Sequence, residues 1–180
     1  MKLLATAVAV VSLIGSAFCQ DWKQPAPEEM KQLGFLVGSF AGKQHMEFGG
    51  QKMESDAVVN ASWQLDGRYI RSDVKYTMTG MEGEISGFMV LTYVPAKKQF
   101  RSHWFDSSSP DYVEMFGTMQ GNTLTLTSGE VEMPGMGKFL MRSTWTKMNN
   151  GNVGMKLEMK QGDQPWFTLM SAEYAKKAAK

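Results

Sequence analysis

From Gly38 onward, apolar and polar residues alternate one by one in short runs, and glycine- or asparagine-rich turns separate the runs. A period of two sends successive side chains to opposite faces of a strand and is incompatible with a long amphipathic helix. In 38–48, Phe40, Gly42, Gln44, Met46 and Phe48 share one face, while Ala41, Lys43, His45 and Glu47 share the other. Ala57, Val59, Ala61, Trp63 and Leu65 form a second apolar row, and Asp66-Gly67 is a tight-turn signal leading to a third, Ile70, Ser72, Val74, Tyr76 and Met78. The same reasoning places strands at 38–48, 57–65, 68–78, 84–93, 100–107, 112–119, 123–130, 138–147, 153–160 and 166–174. Their connections are short enough to join antiparallel neighbours. The expected fold is therefore all-β, an antiparallel up-and-down barrel of about ten strands, because closure removes the exposed edges. A two-sheet sandwich is the competing architecture.

Only one segment departs from this period. Pro27 to Leu33 is a short helical pattern, with proline at its start, Glu28 and Glu29 in its first turn and Gly34 after it. Ahead of it, Lys2 precedes an apolar run from Leu3 to Ile14, then Gly15, Ser16 and Ala17, which is the pattern of a secretory signal peptide. The run is too short and too interrupted for a membrane anchor. Cleavage is expected after Cys19 or after Ala17. The organisation is thus a signal peptide (1–19), a polar lead-in (20–26), a single barrel domain (27–176) and a basic tail (177–180). A bacterial lipoprotein would retain a lipidated Cys19, but Phe18 occupies a position that calls for a small residue.

Cleavage after Cys19 removes Lys2 and the only cysteine, leaving 18 charges of each sign among Lys, Arg, Asp and Glu. A neutral chain lacks the basic excess that nucleic-acid binding requires. Without disulfides, an apolar core alone must hold the exported domain. The expected location is secreted or periplasmic, with no membrane association after processing.

Several separated motifs then align with one family. The segment Leu33-Gly-Phe-Leu-Val-Gly-Ser-Phe-Ala-Gly42 resembles the first-strand signature of small lipocalin-like barrels, with Phe40 in place of the usual tryptophan. It is followed in order by Trp63-Gln-Leu-Asp-Gly-Arg-Tyr-Ile70, Leu91-Thr-Tyr93, Ser102-His-Trp-Phe-Asp106 and Glu173-Tyr174. Together these resemble the bacterial family called domain of unknown function 1579, over about residues 29–176. The resemblance implies a calycin-type barrel and no established activity. Nitrobindin-like haem barrels are more distantly similar. Their proximal histidine lies near the C-terminal end, whereas the last histidine here is His103, so no haem is expected.

Two histidines, no Gly-x-Ser-x-Gly and no retained cysteine leave nucleophilic catalysis without its parts, so a non-enzymatic role is expected and no cofactor is called for. The compositional oddity is methionine, with 16 residues. Thioethers at Met78/Met81, at Met133/Met136 and beside His45 could gather Cu(I). The favoured explanation is an adaptable apolar lining, since Met46, Met78, Met89, Met115, Met141, Met155 and Met159 fall within expected strands. A small hydrophobic or amphipathic molecule is the expected partner, held in the lumen by Trp63, Tyr76, Trp104 and Met155, with Asp106 and Arg142 as the polar groups that orient it. Arg142, Arg71 and Arg68 are the candidate partners for Asp106. His103 is expected on the outer surface. A filled barrel serving as a structural or interaction protein, or a methionine-based soft-metal (copper) binder, is the alternative.

Overall fold

The computed structural model describes residues 25–78, 83–133 and 135–178. Residues 1–19, expected to be a signal peptide, and Met81 lie outside them. Among the described residues, eleven strands follow a short helix: β1 (Gly38–Phe48), β2 (Gln51–Gln64), β3 (Tyr69–Met78), β4 (Ile85–Val94), β5 (Gln99–Asp106), β6 (Val113–Gln120), β7 (Thr123–Ser128), β8 (Val131–Met133), β9 (Gly137–Lys147), β10 (Val153–Lys160) and β11 (Phe167–Lys176), with a single 3₁₀ turn, Pro95–Lys97, between β4 and β5. Each pairs antiparallel with its neighbours. β1 to β7 are joined in sequence, β7 continues to β9, β9 to β10 and β10 to β11, and β11 returns to β1 through pairs such as His45↔Ser171. The result is a closed ten-stranded barrel. The short β8 lies outside the ring, folded back on β9 through Val131↔Phe139.

Sequence alternation maps directly onto this ring. Phe40 and Gln44 on β1, Ala57, Val59 and Ala61 on β2, Ile70, Ser72 and Val74 on β3, and Leu124, Leu126 and Ser128 on β7 are all buried, as inward rows should be. β1 and β10 have the bounds expected from the pattern. β2 starts six residues before the expected Ala57, because Gly49 and Gly50, both at positive φ, form a two-residue hairpin that aligns Phe48 with Gln51. The connection from β2 to β3 is correspondingly looser than a two-residue turn: it spans 65–68, with Leu65, Asp66 and Gly67 all at positive φ.

The helical segment is a 3₁₀ helix, Glu28–Leu36, that continues past Gly34, and the Val37 amide donates back to the Gly34 carbonyl at 3.2 Å. Met30, Leu33 and Leu36 are buried and join the barrel core. Tyr93 of β4 faces the helix, and its phenol is raised first by burial and then by the nearby Glu29 carboxylate. The helix leads into the start of β1, so it stops the barrel end where β1, β3 and β5 begin and β2 and β4 finish. Among the described residues, no helix packs into the opposite end, where β1 and β3 finish and β2 and β4 begin.

Candidate functional site

At the unplugged end, Phe139 and Met159 are buried, but several other inward residues are half-exposed. Tyr76, Trp104, Val113, Met141, Leu157 and Met170 pack against the core on one side and meet solvent on the other. Trp104 sits on β5 between Met89 of β4 and Val113 of β6, its register partners. Its ring lies over Gly87, where a Cβ would stand 2.6 Å from Cζ2; glycine on β4 is what makes room for the indole. The Trp104 Nε1–H donates to Asp106 Oδ2 at 2.8 Å.

Asp106 also accepts from the Ser108 amide at 2.8 Å and from the Ser108 hydroxyl. Burial pushes its carboxyl pKa up, but the donors from Ser108, Trp104 and the Ser109 amide outweigh that and hold it below 3.8. The group is an ionised carboxylate beside an indole. Its charge is felt at Tyr76, whose phenol is raised by burial first and by Asp106 second.

Deeper in, a polar chain runs along the inner wall over the adjacent strands β2, β1 and β11. The Ser55 hydroxyl donates to Gln44 Oε1 at 2.8 Å, and Gln44 Nε2 donates to the Tyr174 hydroxyl at 2.7 Å. Burial raises the Tyr174 phenol to about 12. Beside it the Trp145 ring stacks on Tyr174 at 6.5 Å, and the buried Trp145 Nε1–H has no hydrogen-bond partner among the described residues. Leu36, Phe40, Val59, Met89 and Val153 enclose a void of about 10 Å³ with these two rings, on the scale of a single water.

Tyr76, Trp104 and Asp106 therefore come together at the open end. Met155 is buried in the shared core, opposite Trp145 and Ala172. Trp63 and Arg142 do not converge with them. Trp63 has inward parity but stands at the plugged end, 38% exposed, because β2 is ending there. Arg142 alternates out of phase with Met141 and Ser143, so it leaves the lumen. Its Nε bonds Glu158 Oε2 at 2.8 Å, and its guanidinium lies over the Trp166 ring at 4.3 Å. Arg71 likewise is taken by Asp73 at 2.8 Å, and Arg68 lies at the plugged end, just before β3. Asp106 is met by neutral donors rather than by an arginine. His103 is bonded to Glu114 at 3.0 Å on the outer face, with its ring against Tyr112.

Gln44 and Tyr174 had no part in the sequence-derived site. Gln44 is a polar residue in an otherwise apolar row, which is the signal that marks it. Tyr174 lies 130 residues away, and only ring closure brings the two together.

No curated protein matches the chain. Among solved structures, it is similar to Rv2717c from M. tuberculosis at 13% identity and a TM-score of 0.62, over 85% of this chain and 99% of that one. It is also similar to the S-type phycobiliprotein lyase CPES from Guillardia theta at 13% identity and a TM-score of 0.58, over 86% of this chain and 99% of that one. Residues 26–176 match the family described as Protein of unknown function (DUF1579), and the chain belongs to that family.

Proposed function

We propose that the chain is an exported protein that binds a small apolar or amphipathic molecule through the unplugged end of its barrel, without turnover. The observation that carries this reading is the asymmetry of the two ends: the helix buries Met30, Leu33 and Leu36 at one, while inward-facing Tyr76, Trp104, Leu157 and Met170 stay half-exposed at the other. Apolar surface left at a concave mouth is what a ligand would cover. Two polar groups suit an amphipathic guest. The Asp106 carboxylate at the rim favours a cationic or hydrogen-bond-donating head group. The Trp145 Nε1–H deeper in the lumen, without a hydrogen-bond partner among the described residues, suits an acceptor oxygen. A carboxylate held ionised by fixed donors is a poor proton shuttle, which supports binding over catalysis. Export rests on the apolar run and small residues within 1–19.

The void of about 10 Å³ favours a second reading, a barrel filled by its own side chains that serves as a structural or interaction protein. Entry of a ligand requires the flexible methionines of the mouth to move aside. The two readings separate in a titration with an environment-sensitive fatty-acid or aromatic probe. Ligand binding predicts micromolar affinity, quenched tryptophan emission, and marked weakening in Trp104→Ala with an unchanged circular dichroism spectrum. Absence of binding by every such probe, or binding indifferent to Trp104→Ala in a folded barrel, would leave the filled-barrel reading. Processing is checked by N-terminal sequencing of secreted protein, which should begin at Gln20 or Phe18.

A further inference from the structure

Three methionines stand in one cross-strand row at the unplugged rim. Met46 of β1 is directly opposite Met53 of β2 and, on its other side, directly opposite Met170 of β11. All three have inward parity. Met46 lies two residues beyond buried Gln44, Met53 two before buried Ser55, and Met170 two before Ala172, which packs on the core. All three are half-exposed. We propose that Met46, Met53 and Met170 form a trithioether site for a monovalent soft cation, Cu(I) or its analogue Ag(I).

The spacing permits it. Directly opposed residues on antiparallel strands hold their Cβ atoms about 5 Å apart, so the outer two methionines start about 10 Å from one another. Each thioether sulfur reaches two bonds beyond its Cβ, and the concave inner wall of a barrel turns neighbouring side chains toward a common point. Sulfurs from three adjacent strands can therefore meet around one ion. The two-residue Gly49–Gly50 hairpin fixes the Met46–Met53 half of this register.

The donor set selects the ion. Uncharged, polarizable thioethers favour Cu(I) over oxygen-preferring ions such as Mg²⁺ or Ca²⁺. Among the described residues, no group of three His, Cys, Asp or Glu is placed to hold a metal, so harder chemistry does not compete. The polar side chains next inward, Gln44 and Ser55, are bonded to each other and to Tyr174 and are not free to intrude. His45 and Glu54 alternate to the outer face, where they pair at 3.2 Å. The ionised Asp106 at the same end adds negative potential that favours a cation. Packing alone accounts poorly for the row, because the fully buried positions use Leu33, Ile70, Leu91, Leu124 and Leu126 as well as methionine, whereas this rim places thioethers at three adjacent positions where burial is incomplete.

The site does not depend on the ligand reading above, and its test is separate. Full-length processed protein is titrated with Ag(I), and anaerobically with Cu(I) against a chromogenic Cu(I) chelator, while ¹³C-methyl methionine spectra are recorded. One equivalent should bind, with the Met46, Met53 and Met170 methyl signals shifting most. Met46→Leu should lose at least tenfold in affinity, and a Met133→Leu/Met136→Leu double variant should lose none. If Met46→Leu alters the circular dichroism spectrum, Met170→Leu and the wild-type methyl shifts decide instead. Absence of stoichiometric binding, shifts centred on other methionines, or full affinity in a folded Met46→Leu or Met170→Leu protein would each overturn the proposal.

Discussion

Trp104 donates its indole N–H to Asp106, two residues further along the same inward face of β5, at 2.8 Å. The acid limb of stability follows from this bond. Because the folded carboxyl titrates below its ordinary 3.8, its contribution is present above that value and is lost as the pH falls through the lower folded value. Asp106→Asn should be less stable than wild type at neutral pH, and the gap should close on acidification. Urea unfolding midpoints across acidic and neutral pH check this.

Gly87→Ala would place a methyl group 2.6 Å from the Trp104 ring and 2.7 Å from the Phe105 carbonyl. The indole must shift. Overpacking of this kind typically costs about 1–3 kcal/mol, and the tryptophan emission maximum should move with it. Denaturant unfolding with fluorescence detection reads both effects in one experiment.

The chain from Ser55 through Gln44 to Tyr174 is buried throughout, so Gln44→Ala strands a hydroxyl at each end. A loss of about 2–4 kcal/mol is expected from two unsatisfied groups. Tyr174→Phe should cost less, and a double-mutant cycle should show the two substitutions to be strongly non-additive.

Tyr174 also sets the alkaline limb. Its phenol is raised to about 12 in the folded barrel and sits near 10 in an unfolded chain. Stability should therefore be whole below pH 10 and decline as the pH rises toward 12, by on the order of 3 kcal/mol. Tyr174→Phe should flatten that decline, as seen in thermal unfolding across alkaline pH.

Arg142 provides the contrasting case, because its Nε–Glu158 bond at 2.8 Å lies outside the lumen. Arg142→Ala should lower stability by about 2 kcal/mol, the loss of a charge-assisted hydrogen bond, with Lys156 at 3.0 Å still holding Glu158. Affinity for an apolar probe should be unchanged, as a titration beside Trp104→Ala will record.

How far the sequence led differs between the fold and the site. Where alternation runs cleanly between glycine or asparagine turns, as in 38–48 and 153–160, strand bounds and inward rows were legible. β2 was harder because Lys52, Glu54 and Asp56 make its first half look like loop, although Met53 and Ser55 keep the period of two. Local alternation also sufficed for Tyr76, Trp104 and Asp106. It failed for Trp63 because parity gives a face and not a height along the barrel. It could have excluded Arg142, since that residue is out of phase with Met141 and Ser143. The Gln44–Tyr174 contact lay beyond local pattern altogether, as it depends on which strands close the ring.

That closure has a consequence in time. β1 hydrogen-bonds both to β2, which follows it at once, and to β11, whose residue Lys176 pairs with Phe40. A chain emerging from a ribosome or a translocation pore can build hairpins as it goes, but it cannot become a barrel until its last strand arrives. Until then β1 and β10 are open edges. The slowest step should be the docking of β11 between them, a contact of very long sequence separation. β11 is the clasp, and a chain stopped before Phe167 would have nothing to fasten.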